Sequence, residues 1–159
     1  MTKISTSTEL MQAKTKPKPT RKEYAVSYPI TTRWMDNDVY GHVNNVTYYS
    51  YFDTVANTFL IEQAGLDIHN GTSIGYIVQS ECFYHSAVAY PDKIEGAFKV
   101  IRIGNSSVQY GVAIFKQGED IASAHGTMTH VFVDRKTEKP VAIDGDFCKA
   151  LEGALVIEK

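Results

Sequence analysis

The sequence predicts an α+β domain in which one long central helix is wrapped by a curved antiparallel sheet of five or six strands. Three observations carry this prediction. Residues 47–64 have the apolar spacing of a helix, with aromatic side chains around most of its circumference, which is typical of a helix enclosed on several sides. Residues 73–133 contain four long runs with strand character, and short connections join the last three. Small residues recur within these strands, as a sheet that bends closely around a helix requires.

Residues 1–22 are predicted to be a flexible basic tail ahead of a single domain over residues 23–159. The tail is rich in Thr, Ser and Lys and has no sustained apolar period. It holds six Lys or Arg and one Glu, whereas the domain holds ten Lys or Arg and seventeen Asp or Glu. A transit peptide and an anion-binding arm are alternative interpretations of this tail.

The domain is predicted to open with a strand, a polar loop and the helix. The strand follows from the alternating run of Tyr24, Val26, Tyr28 and Ile30. Residues 33–45 are dense in Asp, Asn and Gly, which indicates a loop. The helix over residues 47–64 ends before Gly65, where a C-terminal glycine belongs. Its one polar strip consists of Ser50, Asp53, Thr54 and Asn57.

The remaining elements are four strands and a short helix. The strands are predicted over residues 73–86, 93–103, 107–116 and 121–133. The connections at residues 104–106 and 117–120 suit hairpins, so neighbouring strands should be antiparallel. Residues 145–153 are predicted to add the C-terminal helix.

Composition limits the classes of protein that fit. The 159 residues, 43% of them hydrophobic, suffice for one domain with a core. The cysteines, Cys82 and Cys148, have neither metal-ligand nor disulfide-framework spacing, and this favours a reducing compartment. No apolar run reaches the roughly 18 residues of a membrane span. These features predict a cytoplasmic protein with no metal and no nucleic-acid or membrane partner, with organellar targeting by the tail left open.

The loop before the helix carries the chemistry. It places two carboxylates, one imidazole and two amides directly ahead of a helix N-terminus, namely Asp36, Asp38, His42, Asn44 and Asn45. Capping of the helix accounts for Asn44 or Asn45, and acceptance of backbone hydrogen bonds accounts for Asp36. Asp38 lies several residues ahead of the helix, too far to be a simple cap, so capping does not explain it.

These residues also carry a resemblance to a known family. The run D-x-D-x-x-G-H-V-N-N at residues 36–45, followed on the helix by Tyr48, Tyr51-Phe52-Asp53 and Ala56, resembles the hotdog-fold acyl-CoA thioesterases of the 4-hydroxybenzoyl-CoA thioesterase superfamily. Residues 103–107, Ile-Gly-Asn-Ser-Ser, are similar to the I-G-x-S-S hairpin of those proteins. The resemblance covers about residues 24–135. It implies a hotdog fold, hydrolysis of an acyl-CoA or an acyl thioester on acyl carrier protein, and a homodimer or homotetramer whose site spans two subunits.

The resemblance also implies catalytic roles for particular residues. Asp38 would be the catalytic carboxylate, acting as general base on water or attacking the thioester directly. Backbone N–H groups near Asn45 would stabilise the oxyanion. His42 would position the substrate or the acid, with a structural hydrogen bond as an equal alternative. Asp53 would orient Asp38 or the water, although one branch of the superfamily places its catalytic carboxylate on the helix.

The predicted substrate-binding residues are Asp36, Tyr48, Arg102, Ser106 and Ser107. Charge and hydroxyl groups suit the last three to the phosphates of coenzyme A, while ordinary turn chemistry explains them equally well. Tyr48 is a candidate for the wall of the acyl pocket or for the core. Because coenzyme A is part of the substrate, no separate cofactor is expected.

Two other functions remain open. The first is an enoyl-thioester hydratase or dehydratase on the same fold, although the loop lacks the proline and the acid-to-histidine spacing that those relatives show. The second is a non-catalytic module that binds acyl thioesters, since a shared fold does not guarantee turnover. A serine-hydrolase triad is disfavoured because the sequence contains no G-x-S-x-G elbow.

Overall fold

A computed structural model describes residues 17–157 of the chain. Its strands are β1 (Val26–Thr31), β2 (Ser73–Tyr84), β3 (Lys93–Ile103), β4 (Ser107–Lys116) and β5 (Ala124–Asp134), and its helices are α1 (Thr47–Glu62) and α2 (Gly145–Gly153). The strands form one antiparallel sheet in the order β1-β3-β4-β5-β2. The α+β class and the antiparallel sheet are confirmed, with five strands among the described residues.

The core lies between α1 and one face of the sheet. From the helix, Phe52, Val55 and Leu60 are fully or almost fully buried. The ring of Phe59 stacks on that of Phe98 from β3, with 4.5 Å between ring centroids. Gly96 on β3 permits this close approach, because a Cβ at that position would overlap the side chain of Val55.

The observed helix differs from the prediction in two respects. It has 16 residues and ends at Glu62, two residues earlier than predicted, and Gly65 follows with a φ of 73°. Its polar strip is also exposed at Ser50, Asp53 and Thr54, so the sheet covers one side of the helix and does not enclose it. The aromatic residues around its circumference pack partly on each other, as Tyr48 does on Tyr51, and not only on the sheet.

The last residues of the predicted tail are held against the sheet. Thr20 pairs with Ile121, and the Arg21 guanidinium forms an ion pair with Glu95 at 3.1 Å. Residues 19–21 therefore differ from the predicted flexible extension, because a charged side chain and backbone hydrogen bonds join them to the domain. Residues 1–16 of the predicted tail lie outside the described residues. No helix within residues 17–157 is long and apolar enough to cross a membrane.

Candidate active site

The segment from residue 36 to residue 44 forms a small hairpin, called here the Asp38 hairpin. At its base the carbonyl of Asp36 accepts the N–H of Asn44 at 2.8 Å. Nearer the tip, the N–H of Asp38 donates to the carbonyl of His42 at 2.8 Å, and the N–H of Gly41 donates to the carbonyl of Asp38 at 3.0 Å. Gly41 has a φ of 80°, which favours glycine at this turn. The polar loop therefore has a defined shape set by its own backbone.

Asp38 presents a carboxylate at the tip of this hairpin. Its side chain is half-buried, and Oδ1 accepts the N–H of Tyr40 at 2.9 Å. Within residues 17–157, Oδ2 accepts no hydrogen bond. One oxygen thus holds the side chain in place, while the other is available to a water molecule or to an electrophilic carbon.

Asp36, for which a substrate-binding role was predicted, has a carboxylate that protein groups surround. Its side chain is 1% exposed, and its oxygens accept hydrogen bonds from the Tyr51 hydroxyl at 2.6 Å and the Arg33 N–H at 2.9 Å. Arg33 also contacts Oδ1 through its guanidinium at 3.0 Å. Burial by itself would raise the pKa of Asp36, but the hydrogen bonds from Tyr51 and Arg33 outweigh it and lower that pKa. The sequence analysis anticipated a backbone hydrogen bond to this carboxylate, as from Arg33, but it gave no signal of the contact with Tyr51, 15 residues away.

The start of α1 lies directly after the hairpin. Asn44 fixes this turn, since its side-chain oxygen accepts the N–H of Val46 at 3.0 Å and its carbonyl accepts the N–H of Thr47 at 2.9 Å. Asn45 is exposed, and its own N–H has no acceptor among residues 17–157. The positive end of the helix dipole and this free donor favour negative charge at the same place.

Tyrosine side chains form one wall beside Asn45. Tyr84 donates its hydroxyl to the carbonyl of Asn45 at 2.9 Å. The ring of Tyr84 packs edge-on against that of the buried Tyr48, with 5.1 Å between centroids. Burial raises the pKa of both tyrosines, and it raises the pKa of the neighbouring Cys82 to about 11. At neutral pH the Cys82 thiol therefore stays protonated and is a poor nucleophile.

His42 and Asp53 lie at the surface of the chain. The His42 side chain is exposed and forms no hydrogen bond with residues 17–157. Asp53 is also exposed and accepts a long hydrogen bond of 3.3 Å from Asn57. It lies about 9 Å along the helix axis from Thr47, at 1.5 Å per residue. The structure thus leaves both side chains open to solvent and supports neither one through a hydrogen bond to Asp38.

Arg102, Ser106 and Ser107 lie at the opposite end of the sheet from the Asp38 hairpin. Asn37 of that hairpin accepts the N–H of Tyr90, close to the first residue of β3. The predicted phosphate-binding group lies at the other end of β3, roughly 30 Å away at about 3.3 Å per residue. Arg102 is exposed and lines a separate cavity of about 550 Å³ with Glu152 and Leu155. One copy of the chain does not bring the two predicted parts of the site together.

Residues 17–157 contain no cluster of three or more His, Cys, Asp or Glu side chains that could hold a metal ion. His85 and His125 lie close together, with 2.7 Å between Nε2 of the first and Nδ1 of the second. Their separation of 40 residues along the chain gave no signal of this contact. His130 points to the other face of the sheet, towards the helix, where its Nδ1 lies 3.1 Å from the Tyr110 hydroxyl.

Comparisons with known proteins show the family and the fold of the chain. The family model of the thioesterase-like superfamily matches residues 32–151. The PA5185 protein of Pseudomonas aeruginosa strain PAO1 is 51% identical, covering 88% of this chain and 98% of that chain with a TM-score of 0.86. A 1,4-dihydroxy-2-naphthoyl-CoA thioesterase from Synechocystis is 13% identical, covering 79% of this chain and 93% of that chain with a TM-score of 0.71, and shows the fold alone. None of the curated proteins compared matches the chain. The resemblance first seen in residues 36–45 is confirmed.

Proposed function

This chain belongs to the thioesterase-like superfamily, and we propose that it hydrolyses an acyl thioester of coenzyme A or of acyl carrier protein to the free acid and the thiol. The proposal rests on one observation, the hydrogen bonding of the two carboxylate oxygens of Asp38. One of its oxygens is fixed by the N–H of Tyr40, and the other accepts no hydrogen bond within residues 17–157. A carboxylate held in this way suits attack on a thioester carbonyl, and the N–H of Asn45 at the start of α1 would supply an oxyanion donor.

The reaction can follow either of two routes from Asp38. In the first, the carboxylate removes a proton from water as the water oxygen bonds to the acyl carbon, the C–S bond then breaks, and the thiolate takes up the proton. In the second, the carboxylate oxygen bonds to the acyl carbon, the thiolate leaves, and water hydrolyses the mixed anhydride. Both routes consume one water and yield one acid and one thiol.

The oxyanion would be stabilised at the start of α1. The free N–H of Asn45 and the helix dipole both favour the negative charge that develops on the carbonyl oxygen. Loss of one such donor typically costs about 100-fold to 1,000-fold in rate. Tyr84 and Tyr48 would line the acyl group beside this donor, while His42 and Asp53 would contact substrate or water from the solvent side.

A second copy of the chain would complete the site. Arg102, Ser106 and Ser107 are candidates for the phosphates of coenzyme A, but they lie far from Asp38 within one copy. The Asp38 hairpin also exposes apolar side chains, with Val39 96% and Tyr40 83% exposed. Edge strand β2 has no partner on its outer side among the described residues, and Val78 on it is exposed. Both features suit a homodimer in which the phosphate-binding group of one subunit serves the Asp38 hairpin of its partner.

The direct test mixes the purified full-length protein with acyl-CoA esters of short, long and aromatic acyl groups and a thiol-reactive dye. Release of free thiol supports the proposal, and the best ester identifies the acyl class. If no ester in the panel releases thiol, with esters of acyl carrier protein included, hydrolysis is refuted. Water addition to crotonyl-CoA without thiol release would instead identify the hydratase, and binding without turnover would identify the non-catalytic module.

A further inference from the structure

We propose that Tyr51 and Asp36 form a clamp that sets the position of Asp38 relative to the start of α1, a role that rests on the proposed hydrolysis. Neither residue touches the reacting atoms, so both are positioning residues. The buried hydrogen bond between them aligns the catalytic carboxylate of the Asp38 hairpin with the oxyanion donors at the start of α1.

The contact joins two elements through their side chains. Tyr51 lies one turn into α1 with 5% of its surface exposed, and its hydroxyl donates to Oδ2 of Asp36 at 2.6 Å. The same oxygen accepts the Arg33 N–H at 2.9 Å, so Asp36 is held from two sides. Hydrogen bonds to an ionised acceptor are shorter and about twice as strong as neutral ones.

Asp36 passes this constraint to Asp38 through the backbone of the hairpin. The carbonyl of Asp36 accepts the N–H of Asn44, and two residues further on the N–H of Asp38 donates to His42. These two bonds make the hairpin a short ladder that moves as one unit. A change in the direction of Asp36 therefore changes the direction of Asp38.

The remaining hydrogen-bonded anchors of the hairpin lie outside α1. Val43 donates its N–H to the carbonyl of Val88 at 2.7 Å, and Asn37 accepts the N–H of Tyr90 at 2.9 Å. Both partners belong to the segment between β2 and β3. A further, indirect route runs through Val88, whose backbone also hydrogen-bonds to the Tyr48 hydroxyl of α1. Apart from the chain itself at residues 44–47, the contact between Asp36 and Tyr51 is the hydrogen bond that joins the hairpin directly to α1 among residues 17–157. It therefore fixes the angle between Asp38 and the N–H of Asn45.

The test compares Tyr51→Phe with a matched control, Tyr110→Phe. Both changes delete the hydroxyl of a buried tyrosine, and the control loses the contact with His130 inside the core. On the best ester from the panel, we expect Tyr51→Phe to lower kcat about tenfold to 100-fold with little change in KM, because a displacement of about 1 Å costs as much as 100-fold. Tyr110→Phe should leave kcat within about twofold of the wild type, as a loss of stability alone would.

A double-mutant cycle and hydrogen exchange complete the test. Asp36→Asn should lower kcat in the same way, and combining it with Tyr51→Phe should add little further loss, since both remove one interaction. Amide exchange across residues 38–44 should rise in Tyr51→Phe and not in Tyr110→Phe. Equal effects of the two tyrosine changes on kcat, or additive losses in the cycle, would overturn the clamp while hydrolysis stands. If the wild type hydrolyses nothing, the proposed function fails, and unchanged exchange in Tyr51→Phe would then refute the clamp by itself.

Discussion

The Asp38 hairpin and the β3–β4 hairpin are both polar turns that the sequence predicts to be part of the active site. The charged side chains that they carry differ in exposure. The first is tied to α1 and to the residue 88–90 segment by buried or backbone hydrogen bonds, and it carries a half-buried carboxylate. The second is also held by backbone hydrogen bonds, from the N–H of Phe132 to Ser106 and from the N–H of Ile143 to Asn105, each at 2.8 Å, but its Arg102 is exposed. A half-buried carboxylate on a fixed turn suits bond-breaking chemistry, whereas an exposed guanidinium suits contact with a charged group that moves with the substrate.

The largest effect is expected from replacing the catalytic carboxylate of the Asp38 hairpin. Replacing Asp38 by Asn should lower kcat about 100-fold to 10,000-fold, because an amide neither removes a proton nor attacks the thioester. The free energy of unfolding should change by less than about 0.5 kcal/mol, since the side chain is only half-buried and the amide oxygen still accepts the N–H of Tyr40. Thiol release and thermal melting measure the two quantities. Near-normal turnover in this variant would transfer the catalytic role to Asp53.

The next effect concerns the contribution of Asp36, at the base of the Asp38 hairpin, to the stability of the protein. Asp36→Asn removes the charge that Tyr51 and Arg33 surround, and it should lower the free energy of unfolding by about 1.5–3 kcal/mol at pH 7. The pKa of Asp36 is lowered in the folded state, so its contribution is complete above its unfolded pKa of about 3.9 and is lost as pH falls through the folded value. Denaturant titrations of both proteins should therefore give a difference that shrinks in acid. A difference that does not change with pH would contradict the structural role of the charge.

A smaller effect is expected at the second turn. Arg102→Ala should raise KM for a coenzyme A ester by about fivefold or less and leave kcat unchanged, because an exposed ion pair contributes about 1 kcal/mol or less. The increase should diminish in high salt, which already screens the phosphate contact in the wild type. Lys149→Ala, which removes an exposed lysine of α2 that is 4.0 Å from Asp146, provides the control. An identical KM in Arg102→Ala and the wild type would remove this turn from the site.

The smallest effect is expected in an experiment on mixed dimers, which tests whether Asp38 of one subunit and Arg102 of the other belong to the same site. Asp38→Asn and Arg102→Ala subunits, refolded together, form heterodimers with one fully intact site if Asp38 of one subunit works with Arg102 of the other. The mixture should then show a fraction of turnover with the wild-type KM. Kinetics equal to those of the Arg102→Ala protein alone would place both residues in the same subunit or exclude Arg102.

Much of the fold could be predicted from local sequence patterns. The hairpin connections followed from Gly-rich and Asn-rich turns, and the helix from spacings of three and four residues, because these features depend on neighbours along the chain. The extent of burial could not be predicted. The aromatic residues of α1 suggested an enclosed helix. Ser50, Asp53 and Thr54 nevertheless remain exposed, since burial depends on which elements surround a helix.

By itself, the sequence determined the chemical content of the site: a carboxylate at residue 38, a turn at Gly41 and a helix start near residue 45, all within one short motif. Only the tertiary structure decided which residues support that motif. Tyr51 and Tyr84 reach Asp36 and Asn45 from 15 and 39 residues away in sequence, and Arg102 is carried to the far end of the sheet. The physical reason is that the direction of a side chain is set by local geometry, while its hydrogen-bond partner is set by how whole elements pack.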